Sequence, residues 1–89
     1  MPLQALEEAP AESLDGHGVA YAIVIKASNE REGVKAEYQW IAEHFPGYKR
    51  NRQALLNQSN RSYDEINFTT ASGEFKTVYF DITDFYGKM

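Results

Sequence analysis

Alternation of apolar and polar residues is clearest near the end of the chain. Val78, Phe80 and Ile82 share one parity, and Phe75, Thr77, Tyr79 and Asp81 share the other. A period of two predicts a strand over Glu74–Thr83, dry on one face and wet on the other. Ile66 and Phe68 mark a second such strand within Tyr63–Ala71, and a more polar run, Tyr48–Asn57, predicts a third. Val19–Ala27 predicts the first strand in chain order. Both of its faces are largely apolar, which suggests cover on both sides or a central place in the sheet.

Between these runs the period changes. Val34, Tyr38, Ile41 and Phe45 fall at helical spacing, with Trp40 beside them, so Asn29–Phe45 reads as a helix. Asn29 followed by Glu32 fits an N-cap with an acceptor three residues on. Pro46-Gly47 supplies the stop. The order is β-α-β-β-β. The fold class expected is α+β, a four-stranded mainly antiparallel sheet with one helix packed on one face.

Parity constrains the turns. A two-residue turn at Ser72-Gly73 would put Phe68 opposite Thr77 and send the two apolar sets to opposite faces. An odd loop of three or five residues, or a turn with a bulge, brings Ile66, Phe68, Val78, Phe80 and Ile82 to one side, with Phe68 facing Val78 and Ile66 facing Phe80. For the Tyr48–Asn57 strand, a five-residue loop up to Tyr63 would turn Ala54 and Leu56 inward, with Arg50 and Arg52 near the rim. Lys49, Asn51, Gln53 and Leu55 would then face out. Trp40, Ile41, Phe68, Phe80 and Ile23 are the expected core.

Residues 1–18 are rich in Ala, Glu, Pro and Gly and offer little apolar area beyond Leu3, Leu6 and Leu14. They read as a flexible tail ahead of a single domain over 19–89; a short helix docking through Leu3 and Leu6 is the rival reading. With 89 residues in all, the chain has room for one domain, and its core depends on five Phe, six Tyr and one Trp. The formal charge of −4 sits largely in Glu7, Glu8, Glu12 and Asp15. There is no Cys, so disulfides and Cys-bound zinc are excluded. No apolar run approaches the ~20 residues of a membrane span, and the start lacks the pattern of a signal peptide. Cytoplasmic placement and no membrane partner are the expectations.

Candidate chemistry is sparse. Asp81 and Asp84, with Glu65 near Asp81, could share a proton or a cation, but parity separates the first two, so a solvated Asp81 and a capping Asp84 are expected. His44 lies in the last helical turn, where an imidazolium suits the helix dipole; His17 lies between two glycines. No nucleophile elbow, phosphate loop or metal-spacing motif is present. No catalytic residue, cofactor site or metal site is therefore assigned. Lys49, Arg50, Arg52 and Arg61, near Tyr48 and Tyr63, form the one basic cluster.

The stretches Glu37-Tyr38-Gln39-Trp40, Phe45-Pro46-Gly47-Tyr48 and the ending Tyr79–Lys88 give the chain a further character. In these it resembles small bacterial proteins of uncharacterised function. The resemblance implies a bacterial cytoplasmic origin and a compact α+β fold, and carries over no activity, ligand or functional residue.

Three functional readings follow. The first is a non-enzymatic protein-interaction module, self-associating or binding a protein partner, through the outer-face residues Leu55, Tyr63, Phe75, Tyr79 and Asp81. The second is an accessory nucleic-acid binder through Arg50, Arg52 and Arg61, which the acidic balance disfavours. The third is an enzyme or small-ligand binder using Asp81 or His44.

Overall fold

The computed structural model describes residues 16–88. The tail expected at the start of the chain, and the rival helix docking through Leu3 and Leu6, fall on residues 1–15 and lie outside the described residues. The elements are β1 (Ile23–Val24), α1 (Glu30–His44), β2 (Lys49–Gln58), β3 (Arg61–Thr69) and β4 (Phe75–Asp81), with one 3-10 turn over Val19–Tyr21. The four strands form one sheet in the order β1-β4-β3-β2. The meander β2-β3-β4 is antiparallel and β1 joins β4 in parallel, so the sheet is mixed. The class is α+β, with α1 on one face.

The helix begins as its sequence dictates. Asn29 is the N-cap, and its side-chain oxygen accepts from the Glu32 N–H at 2.9 Å. Its buried line is Gly33, Glu37 and Ile41 rather than the expected stripe; Tyr38, Trp40 and Phe45 flank that line, and Val34 is 37% exposed. The difference comes from Phe85. Its ring lies flat against the Gly33 backbone, where an added Cβ would meet ring atoms at 2.3–2.4 Å. Only glycine leaves that slot, and Phe85 pulls the helix face round to fill it. Trp40 is half-buried, edge-on to Phe80 with ring centroids 5.6 Å apart and stacked on His44 at 3.9 Å.

The β3–β4 connection is the expected odd loop. Thr69 pairs with Phe75 around the five residues Thr70–Glu74, and Gly73 supplies a positive φ of 94°. Ile66 faces Val78 and Asp64 faces Phe80, two residues from the expected register but with parity kept. Ile66, Phe68, Val78, Phe80, Ile82 and Phe85 are all buried with Ile25 and Ile41.

Two expectations are corrected. The first strand is not Val19–Ala27. Gly16 and the 3-10 turn share the free edge of β4 with it: the Tyr79 N–H donates to the Gly16 carbonyl at 2.8 Å, and β1 pairs only opposite Phe80 and Asp81. β1 is thus an edge rather than a central strand, and Gly16–Gly18 belong to the folded body. The second correction concerns β2. It turns into β3 through two residues, Ser59 and Asn60, both at positive φ (52° and 62°), not through a five-residue loop. This left-handed pair matches the twist of a hairpin. A bulge at Asn51 and Arg52 then shifts the remaining register. Gln53 and Leu55 consequently face the helix side, opposite Ile66 and Asp64, and Arg52, Ala54 and Leu56 face away, while the bulge leaves Arg50 on the expected inner side, opposite Phe68.

Candidate functional site

The face of the sheet opposite α1 is closed upon itself by cross-strand bonds. Asn51 bonds Thr69 at 2.9 Å, Thr77 donates to Asn67, and the Tyr79 hydroxyl donates to Glu65 at 2.6 Å. Asp81 is not solvated. It is buried, receives the Arg61 Nε–H at 2.7 Å, and accepts both the Thr83 hydroxyl at 2.7 Å and the Thr83 N–H at 3.0 Å. Burial alone would raise its pKa; the Arg61 and Thr83 bonds outweigh that and hold the carboxyl below its ordinary value.

The five candidate surface residues therefore part company. Tyr63 and Asp81 are buried, Tyr79 is half-buried, and Phe75 is 84% exposed at the far end of β4. Leu55 is 42% exposed but belongs to the helix side. The basic cluster is likewise dispersed. Arg50 lies over the Tyr38 ring at 5.8 Å, Arg52 points to the other face, and Arg61 is tied to Asp81. Asp84 caps the segment after β1 by accepting from the Ala27 N–H at 3.2 Å. His44 Nδ1 lies 2.9 Å from the Trp40 carbonyl, and His17 stacks on Tyr21 at 4.4 Å.

Glu37 and Asp64 form a buried pair that the sequence reading did not find. Glu37 is 0% exposed and Asp64 6%. Burial, first, and the neighbouring Asp64 carboxyl, second, push the Glu37 pKa from 4.5 up to about 10. An ionised Glu37 has no donor to offer, and both its oxygens lack a hydrogen-bond partner. One proton on Glu37 supplies the missing donor. The signals were present: Glu37 lies one turn before Ile41, and Asp64 has the parity of Ile66 and Phe68.

The open surface is β2. It ends the sheet, spans ten residues, and has only Ala54 and Leu56 half-buried. Its first half is guarded. Lys49, Arg50 and Arg52 bring charge, and the bulge bends the ladder, both of which deter strand pairing. The stretch Gln53–Asn57 has no charge, bulge or proline. Ser62, opposite Asn57, turns its N–H to Thr83 and its carbonyl to Ile82. The Asn57–Ser62 pair is thus of the non-hydrogen-bonded kind. By the alternation of an antiparallel ladder, Gln53, Leu55 and Asn57 present backbone N–H and C=O to the open side. Tyr38 bridges the helix to this strand by donating to Gln53 and accepting from Arg50 at 3.3 Å.

Surface grooves among the described residues lie elsewhere. One of about 430 Å³ is lined by Lys26, Ser28, Glu32, Lys35 and Gln39 among others, and one of about 360 Å³ lies at the helix start beside Lys88. Among the described residues, no group of three or more His, Cys, Asp or Glu is placed to hold a metal ion. No helix among them is long and apolar enough to cross a membrane.

Fold and site thus define a mixed-sheet α+β domain with a half-guarded open edge and a buried acid pair. Comparison with known families, with curated proteins and with solved structures finds no match.

Proposed function

We propose that this domain is a non-enzymatic protein-interaction module that works by strand addition at the edge of β2. The observation that carries this reading is the uncharged stretch Gln53–Asn57, open along its backbone and centred on exposed Leu55. An extended polypeptide laid there gains main-chain bonds from Gln53, Leu55 and Asn57, and the exposed Leu55 gives one apolar contact on the helix side. The outer face, whose polar groups already bond one another, offers less to a partner. Phe75 is the exception and forms a separate, single apolar point.

The test uses a library of random linear peptides displayed on phage, selected on the wild-type domain and on Leu55→Lys and Phe75→Ser variants. Alternating apolar peptides that bind the wild type and the Phe75 variant but lose at least tenfold on Leu55→Lys support the edge. Binders that are indifferent to Leu55 and lost with Phe75 overturn it.

A further inference from the structure

We infer that the strand added at β2 is β2 of a second copy of this chain, running antiparallel with Leu55 opposite Leu55. The inference rests on the edge reading above and names its occupant. Three features of the strand agree on the partner.

The first is charge order. Lys49, Arg50 and Arg52 fill the beginning of β2, and Ala54–Gln58 carry no charge. A parallel copy would set each cation against itself, which destabilises a ladder. An antiparallel copy centred on Leu55 sets Arg52 against Gln58 and Gln53 against Asn57. Of the three cations only Arg52 falls opposite β2 of the other copy, against the neutral Gln58; Lys49 and Arg50 lie past the bulge, outside the paired stretch.

The second is the bonding pattern. Leu55 turns its N–H and C=O to the open side, as deduced from Ser62. Two such residues face to face exchange both bonds and form a hydrogen-bonded pair. Gln53 and Asn57 share that orientation, so the ladder extends on each side of the centre until it meets the bulge at Asn51 and Arg52. The bulge thus ends the pairing where the cations begin.

The third is the distribution of apolar side chains. A two-fold axis perpendicular to the sheet keeps both helices on one face and makes one continuous sheet of eight strands from two four-stranded sheets. Leu55 meets Leu55 on the helix side. On the other face, Ala54 of each copy meets Leu56 of the other. Both faces of the seam are then apolar at its centre and polar at its ends, the anatomy of a protein interface.

The chain has no cysteine, so a single introduced one reports the register. Facing residues in such a pair have Cα atoms ~5.5 Å apart, within disulfide reach. Under mild oxidation Leu55→Cys should form a covalent dimer, and the exposed Phe75→Cys and the off-centre Gln58→Cys should do so at least tenfold more slowly. Sedimentation of the unmodified protein should show a concentration-dependent dimer, weakened at least tenfold by Leu55→Lys. Circular dichroism of each variant checks that the monomer remains folded. A dimer that survives Leu55→Lys, or cross-links faster through Phe75 than through Leu55, overturns the register. A strict monomer whose edge still takes linear peptides overturns the second copy as partner but leaves the edge reading intact. A strict monomer that takes no peptide overturns both.

Discussion

Glu37 should make this protein less stable as the pH rises through neutrality. In the unfolded chain its carboxyl ionises at its ordinary value of 4.5, and in the folded domain it keeps its proton to about 10. Between those limits the folded state holds one more proton than the unfolded state. Stability from this group is therefore fully present below 4.5, falls as pH rises, and is gone above 10. The slope is about 1.4 kcal/mol per pH unit, so about 3 kcal/mol is lost between pH 4.5 and pH 7. That is a large share of the ~5–15 kcal/mol typical of a domain. Glu37→Gln keeps the shape and does not titrate. Urea denaturation followed by circular dichroism from pH 5.5 to 9 should show a steep decline for the wild type and a nearly flat line for the variant. A wild-type profile flat within about 0.5 kcal/mol over that range would refute the assignment. So would an equal slope in Glu37→Gln, which would move the proton to another group.

Asp81 carries the opposite sign. Its folded pKa is depressed, so its contribution is present above its ordinary 3.8 and is lost as pH falls through the folded value; Asp81→Asn should cost about 1–3 kcal/mol at pH 7 and much less at pH 2. Gly33→Ala gains ~1 kcal/mol of helix propensity, yet its Cβ would fall 2.3 Å from the Phe85 ring. Thermal unfolding should show net loss, and a double-mutant cycle with Phe85→Leu should show coupling. Phe80→Ala, at the centre of the core, should cost roughly 3–5 kcal/mol, and a near-native melting temperature would contradict the core assignment. Ser59→Gly relieves a left-handed serine and should raise the urea midpoint by the equivalent of up to about 1 kcal/mol.

The sequence made the helix, its Asn29 cap and the odd β3–β4 loop legible, because each rests on a local signal with one physical solution. Phe80, Phe68 and Ile41 were assignable to the core for the same reason. The register of β2 was not legible. A hairpin turn of two left-handed residues ordinarily declares itself by glycine, and here Ser59 and Asn60 take that place. One misplaced turn inverts the strand as far as the bulge, which is why Leu55 and Arg52 exchanged faces and Arg50 did not. The first strand misled for a different reason: an apolar run from Val19 to Ile25 can also serve as a 3-10 turn and a short edge, both packed by neighbours the sequence does not announce. Glu37 was missed because a carboxylate is assumed wet, a rule that a proton overrides.

The segment after β4 carries a consequence for how the chain reaches its folded form. Lys88 accepts the Glu30 N–H at 2.9 Å, and Gly87 donates to the Glu30 carboxylate across 57 residues of sequence. Phe85 fills the Gly33 slot from the same segment. The first turn of the helix is thus completed by residues synthesised long after it. During synthesis, β1 and α1 emerge with an empty slot and a buried-to-be acid still in water, and no meander strand yet lies beneath them. Contacts so distant along the chain favour a late, all-or-none closure. The last step of folding would then fasten the first turn of the helix to the segment after β4.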